Sequence, residues 1–153
     1  MLPPRIMALD VGKIRIGVAL TDPLGYSAQP LVTLYRKHRN EDLRTIFRLV
    51  RKHEIAEILV GNPLHLSGDL SPWTLKVQQF AADLRARTEV PVTLVDERLT
   101  TRAAHEILNE TGYDPRNRKS IIDQVAAVVI LESWLQTQSQ PKHETAEEKP
   151  EMP

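Results

Sequence analysis

Three positions put carboxylates where regular structure would not ordinarily leave them. Asp10 closes a short apolar run after Ile6, Met7, Ala8 and Leu9. Asp96 and Glu97 follow the apolar stretch 90–95 in the same way. Asp123 heads a helical stripe whose i+4, i+7 and i+11 positions are Ala127, Ile130 and Trp134, so its side chain is expected to face a sheet rather than water. Each has a plainer explanation. Asp10 beside Gly12 suits a turn, Asp96 or Glu97 suits the start of a following helix, and Ser120-x-x-Asp123 resembles a capping box. Together they suggest more. Carboxylates gathered at strand ends repel one another and are costly to desolvate unless a cation neutralises them. The chain has no cysteine and no histidine pair at ligand spacing, so hard oxygen donors point to magnesium, with manganese as the alternative. Two such ions about 3.5–4 Å apart can activate a water and stabilise the leaving oxygen of a phosphodiester.

The elements that would carry these acids can be read from periodicity. Residues 5–10 form a short apolar strand, and 14–21 alternate with Ile14, Ile16, Val18 and Leu20 on one face. Val11-Gly12-Lys13 between them fits a tight hairpin. A third strand is expected at 31–35 after a turn-rich stretch at 22–30. Asn40 is placed to cap a helix reaching residue 53, with Leu43, Ile46, Phe47 and Val50 inward and Arg44, Arg48, Arg51 and Lys52 on a solvated face. Residues 55–60 read as a buried strand ended by Gly61-Asn62-Pro63. Ser71-Pro72 opens a helix to residue 88, since proline at the first helical position lacks only an N–H that would be unpaired anyway. Another buried strand covers 90–95, and helices follow at 100–111 and 120–136, separated by Gly112. This order gives an α/β fold with a mixed sheet, an antiparallel meander followed by parallel strands, covered by helices. Ligands of open α/β sheets bind outside the carboxyl ends of the strands, where Asp10 and the pair Asp96 and Glu97 stand.

At 153 residues and 17.4 kDa the chain suits one domain, expected over residues 1–136. Residues 137–153 read as a disordered polar tail, without periodic apolar positions. Hydrophobic residues at 41% and charged residues at 26% describe a soluble globule, and no run approaches the ~18 apolar residues of a membrane span. Without cysteine there is neither disulfide nor thiolate chemistry, which suits a cytoplasmic protein. The formal net charge is +0, so charge by itself does not announce a nucleic-acid binder. Residues 136–153 carry Lys142 and Lys149 against Glu144, Glu147, Glu148 and Glu151, leaving a small positive excess on the rest. Aromatic residues are 5%, and no aromatic-rich strand offers a platform for stacking bases.

Four segments, LDVGKIRIGVALTD (9–22), VGNPLHLSG (60–68), VDERLTT (95–101) and IDQVAAVVIL (122–131), resemble the YqgF family over about residues 5–136. Its members are also described as Holliday-junction resolvases and are linked to pre-16S ribosomal RNA maturation. The resemblance implies an RNase H-like fold and an acidic triad of Asp10, Glu97 and Asp123 that holds magnesium and serves catalysis. Glu97 is the expected ligand because it is the acid followed by arginine in the DER triplet, with Asp96 in support. Lys13-Ile14 stands where the family more often has a hydroxyl residue followed by a basic one, whereas Arg15 and Gly17 fit. Lys13 and Arg15 in this loop, with Arg98, Arg102, Arg116, Arg118 and Lys119 beside the other two acids, are candidates to hold a nucleic-acid backbone. The implied function is metal-dependent hydrolysis of phosphodiester bonds in precursor ribosomal RNA, with ribosomal particles as a further partner, or in branched DNA, by a monomer or homodimer. Two other readings remain: a non-catalytic nucleic-acid or ribosome-assembly module, and an actin-like phosphate-loop nucleotide binder, which would need a second domain.

Overall fold

A computed structural model describes residues 2–63, 70–96 and 118–139, with the backbone alone for 118–120 and 139. The chain runs β1 (Arg5–Val11), β2 (Arg15–Thr21), β3 (Ala28–Tyr35), α1 (Arg39–Lys52), β4 (Ile55–Asn62), α2 (Pro72–Arg87), β5 (Val92–Asp96) and α3 (Arg118–Ser139). The strands form one sheet in the order β3-β2-β1-β4-β5. β1 pairs antiparallel with β2 and β2 with β3, while β1–β4 and β4–β5 are parallel. This is the mixed sheet that the sequence implies. The helix expected at 100–111 and the Gly112 stop lie outside the described residues.

Alternation along the strands divides the core in two. Met7, Leu9, Val11, Ile16, Val18 and Leu20 face one way and pack with Leu43, Ile46 and Val50 of α1 and Val77, Phe80 and Leu84 of α2. Ala8 and Ala19 face the other way, with Leu59, and meet Ala127, Ile130 and Leu131 of α3. The small residues on this second face let α3 lie close to the sheet, and each large aliphatic side chain buried there contributes about 1.5–3 kcal/mol.

Several boundaries differ from those expected. Ile14 is exposed rather than continuing the face of Ile16, because the hairpin loop takes residues 12–14 out of the pleat. β3 begins at Ala28 rather than residue 31, its first residues held by pairing of Thr21 with Ala28. The N-cap of α1 is His38, whose Nδ1 accepts from the Glu41 N–H, rather than Asn40. Asn40 instead accepts a bond from Arg87 through its side-chain oxygen. Ser71 caps α2 as expected, and a reciprocal bond with Thr74 completes a capping box. β5 starts at Val92 rather than residue 90. α3 extends beyond 120–136 at both ends, so Ser120 lies within the helix and is not its cap, and residues 137–139 are helical, while residues 140–153 of the expected tail lie outside the described residues.

Candidate active site

Asp10, Gly17 and Thr33 form a row across three strands, since Gly17 is the register partner of Asp10 on one side and of Thr33 on the other. Register partners in an antiparallel pair point to the same face, with Cα atoms about 5 Å apart. That face is the one α3 covers. Gly17 is buried, and a Cβ there would run into the backbone carbonyl of Asp123. The missing side chain is therefore the gap into which α3 settles, and it brings the Asp123 turn of the helix against the strand next to Asp10.

Two side-chain bonds hold the helix in this position. Arg15, two residues before Gly17 and on the same face, donates through Nε to Oδ2 of Asp123 at 2.6 Å. Both side chains are largely shielded, with 25% and 18% of their surfaces exposed, so the pair is less screened than a surface ion pair. Gln124 donates through Nε2 to the Thr33 hydroxyl at 3.0 Å. Asp10 is half-buried and has interactions of its own. The loop that follows it is fastened by the Gly12 N–H donating to the Arg15 carbonyl at 2.8 Å, where a Cβ on Gly12 would itself crowd that oxygen.

Asp10 and Asp123 are thus brought to one corner at the carboxyl end of β1. The other expected residues are placed differently. Alternation along β5 turns Val95 towards α3 and Asp96 towards the opposite face, where Asp96 is paired in register with Asn62. Glu97, Arg98, Arg102 and Arg116 lie outside the described residues. Arg118 and Lys119 occupy the first turn of α3, at the end of the helix nearer Asp123. Arg15 is committed through Nε to an acid of the site, so its first task here is to neutralise Asp123 rather than to reach outward. Lys13 is exposed and stands over the ring of Trp73, 5.7 Å from its centroid.

Among the described residues no group of three potential ligands is assembled. The donors present nevertheless suit a hard divalent cation: two carboxylates at one corner, one of them paired with the Arg15 guanidinium.

Sequence reasoning missed a second cluster. Arg36, Lys37, Arg39 and Lys76 join Lys13 and Trp73 around a cleft of about 460 Å³ on the other side of the β1–β2 loop. The run Arg36-Lys37-His38-Arg39 was its visible signal, but a basic run at the mouth of a helix is ordinarily solvated.

With this geometry in place, comparison with known proteins decides the family. The sequence profile of RuvX, described as Holliday junction resolvase, matches residues 4–137. The chain belongs to the RuvX family. This is the family that the four motifs indicate under the name YqgF. A RuvX relative from Roseiflexus sp. (strain RS-1) is 43% identical over 136 residues, covering 89% of this chain and 96% of its own, and one from Moorella thermoacetica is 47% identical over 131 residues, covering 86% and 94%. Both carry the name "Putative pre-16S rRNA nuclease". Among solved structures, T. thermophilus RuvC in complex with Holliday junction substrate aligns over 88% of this chain and 96% of its own, with TM-score 0.56 at 11% identity. The fowlpox virus resolvase bound to Holliday junction DNA aligns over 89% and 99%, with TM-score 0.58 at 11% identity. These likenesses show that the chain shares the fold of these two proteins. No helix among its described residues is long and apolar enough to cross a membrane.

Proposed function

We propose that the protein is a metal-dependent endonuclease that hydrolyses phosphodiester bonds in precursor ribosomal RNA. The observation that carries this reading is the approach of the Asp123 turn to Gly17, which puts a helix acid beside the strand acid Asp10. A binding surface for phosphate gains nothing from converging carboxylates, whereas a cation-assisted hydrolase requires them. The RNA substrate is taken from the names of the RuvX relatives.

Asp10 and Asp123 would hold magnesium, or manganese in its place, with Glu97 as the third ligand carried over from the family motif. When bound, the cation supplies activation of a water for in-line attack on phosphorus and stabilisation of the leaving oxygen. The chain's own residues prepare the corner. Gly17 lets the helix acid reach the sheet, and Gln124 on Thr33 keeps the helix from sliding. Arg15 holds Asp123 in one orientation and offsets its charge. Ala8, Ala19 and Ala127 pack the sheet–helix interface behind the site into a buried cluster. Arg98, Arg102, Arg116, Arg118 and Lys119 are proposed to hold the phosphates on either side of the scissile bond.

The test is cleavage of matched precursor-rRNA and four-way-junction DNA substrates with magnesium, by wild type and Asp10→Asn. The expected result is metal-dependent cleavage of the RNA that Asp10→Asn abolishes while the circular dichroism spectrum and melting curve persist. Cleavage by Asp10→Asn at the wild-type rate would reject the acidic site. The family description favours one second reading, resolution of branched DNA, and preferential cutting of the junction would select it. Binding of both substrates without magnesium-dependent turnover would leave a non-catalytic nucleic-acid module.

A further inference from the structure

The cleft beyond the β1–β2 loop is built rather than incidental. Its floor is Arg36, which donates through Nε to Oδ2 of Asp42 at 3.1 Å and through Nη1 to the Gly12 carbonyl at 2.9 Å, while its guanidinium lies 5.2 Å from the centre of the Phe80 ring. One side chain thus ties the hairpin loop, α1 and α2 together. Asp42 lines the cleft but is consumed, because it also accepts from the Lys37 N–H at 3.0 Å. Beside it, Glu41 pairs with the Lys37 ammonium at 3.3 Å and Asp83 with Arg39 at 2.9 Å. Lys13 and Lys76 have no acidic partner among the described residues, so the cleft keeps a net positive charge.

Trp73 gives this charge a second character. It stands at the start of α2, three residues before Lys76 and on the same helix face. Half-buried, the ring packs against the core, yet it also lines the cleft beneath the exposed Lys13 side chain. An indole in a basic cleft can bind a nucleobase by stacking while lysines take the adjoining phosphates. Double helices keep their base faces stacked internally and would offer the ring nothing, so the arrangement selects unpaired nucleotides. The platform absent from the strands is supplied by a single residue at a helix start. Val11, the residue after Asp10, lines the adjoining hollow with Arg36 and Phe80, so the cleft and the acids lie at the same end of β1 on opposite faces of the sheet.

We propose that this cleft binds an unpaired stretch of nucleic acid flanking the scissile phosphate, with a base stacked on Trp73 and its phosphates on Lys13 and Lys76. The proposal rests on the nuclease reading for its substrate class. It assigns the enzyme a preference for duplexes that carry a single-stranded flank, and it makes Trp73 a specificity-determining residue remote from the acids.

The experiment measures binding of the full chain in EDTA by fluorescence anisotropy, so that cleavage plays no part. Three labelled RNAs are compared: a blunt duplex, the same duplex with a short single-stranded tail, and the tailed duplex with abasic tail nucleotides. The wild type should bind the tailed duplex most tightly and the abasic one less well. Trp73→Ala should weaken binding of the tailed duplex roughly ten-fold, within the range of one base–aromatic stack, and leave the blunt duplex unchanged. Trp73→Phe should restore part of that loss. Lys76→Ala, at an exposed position where folding is not at risk, should weaken tailed and abasic duplexes equally and reduce the slope of log K against log salt by about 0.7. Equal binding of blunt and tailed duplexes, or a tail preference untouched by both Trp73→Ala and Lys76→Ala, overturns the proposal. The two readings fail separately. A tail preference that survives in a protein without magnesium-dependent cleavage leaves the cleft and removes the nuclease, whereas cleavage with a tail preference indifferent to these substitutions removes the cleft alone.

Discussion

Replacing Gly17 by alanine tests the central geometric claim with one methyl group. The new Cβ would fall inside van der Waals contact with the carbonyl carbon and oxygen of Asp123 and 3.0 Å from its Cα. All three obstacles are backbone atoms, so no rotamer change relieves them, and β2 is itself held on both sides by β1 and β3. The helix must therefore retreat, by on the order of 1 Å, and overpacking of this kind typically costs 1–3 kcal/mol, with the upper end expected where backbone meets backbone. The retreat also carries Asp123 away from Asp10. A misplacement of ~1 Å at a reacting centre can cost about 10²-fold in rate. Urea denaturation should show Gly17→Ala about 3 kcal/mol less stable, and magnesium-dependent cleavage, measured where the variant remains folded, should fall about 100-fold. Ala19→Gly is the control. Ala19 packs against α3 from the same strand, and its loss should cost roughly 0.5–1 kcal/mol without pushing the helix or changing the rate. A Gly17→Ala protein within ~0.5 kcal/mol of wild type and fully active would refute the packing of α3 on that glycine and the convergence built on it.

Three further outcomes follow from particular contacts. Arg15→Ala should lower stability by about 1–2 kcal/mol in EDTA through loss of a charged hydrogen bond, and magnesium should narrow the deficit by neutralising Asp123 in its place; melting curves showing the same deficit with and without magnesium would remove Asp123 from the cation's ligands. Asp42→Ala leaves Arg36 without its carboxylate inside the fold and should cost about 3 kcal/mol in urea denaturation, with a loss below ~1 kcal/mol showing that the ion pair is not what holds the hairpin loop to α1. His53 is held below its ordinary 6.5, chiefly by burial and then by the charges of Arg5 and Lys52. The unfolded chain therefore takes up its proton first as pH falls, so this contribution to stability is complete above pH 6.5, declines below it, and levels off under the folded value. His53→Gln should remove that part of the slope from stability measured between pH 7 and pH 5, and an unchanged slope would assign it to other groups.

Much of the scaffold was legible because the signals are local. Apolar alternation at 16–20, the proline after Ser71 and the stripe below Asp123 each depend on residues within a few positions of one another, and each produced the element expected. The discrepancies occur where a longer-range contact outweighed local preference. Asn40 is a good capping residue, but it bonds Arg87 of α2 and the cap passes to His38. Ile14 shares the period of Ile16, but closure of the hairpin turns it out to solvent. Asp123 was expected to face the sheet, and it does so because Arg15 and the Gly17 gap receive its turn of the helix.

The amino-acid order by itself determined the strand and helix segments, the mixed sheet they imply and the acids at their ends, since 2.0- and 3.6-residue periods and caps are properties of neighbouring residues. Tertiary structure alone decided that Asp10, Gly17 and Thr33 share a row, that the Asp123 turn rests on its middle, and that three separate segments contribute basic groups and an indole to one cleft. Register and helix docking are chosen by how complementary surfaces fill space across more than a hundred residues of chain, as with Arg15 and Asp123. Such complementarity leaves no periodic trace in sequence.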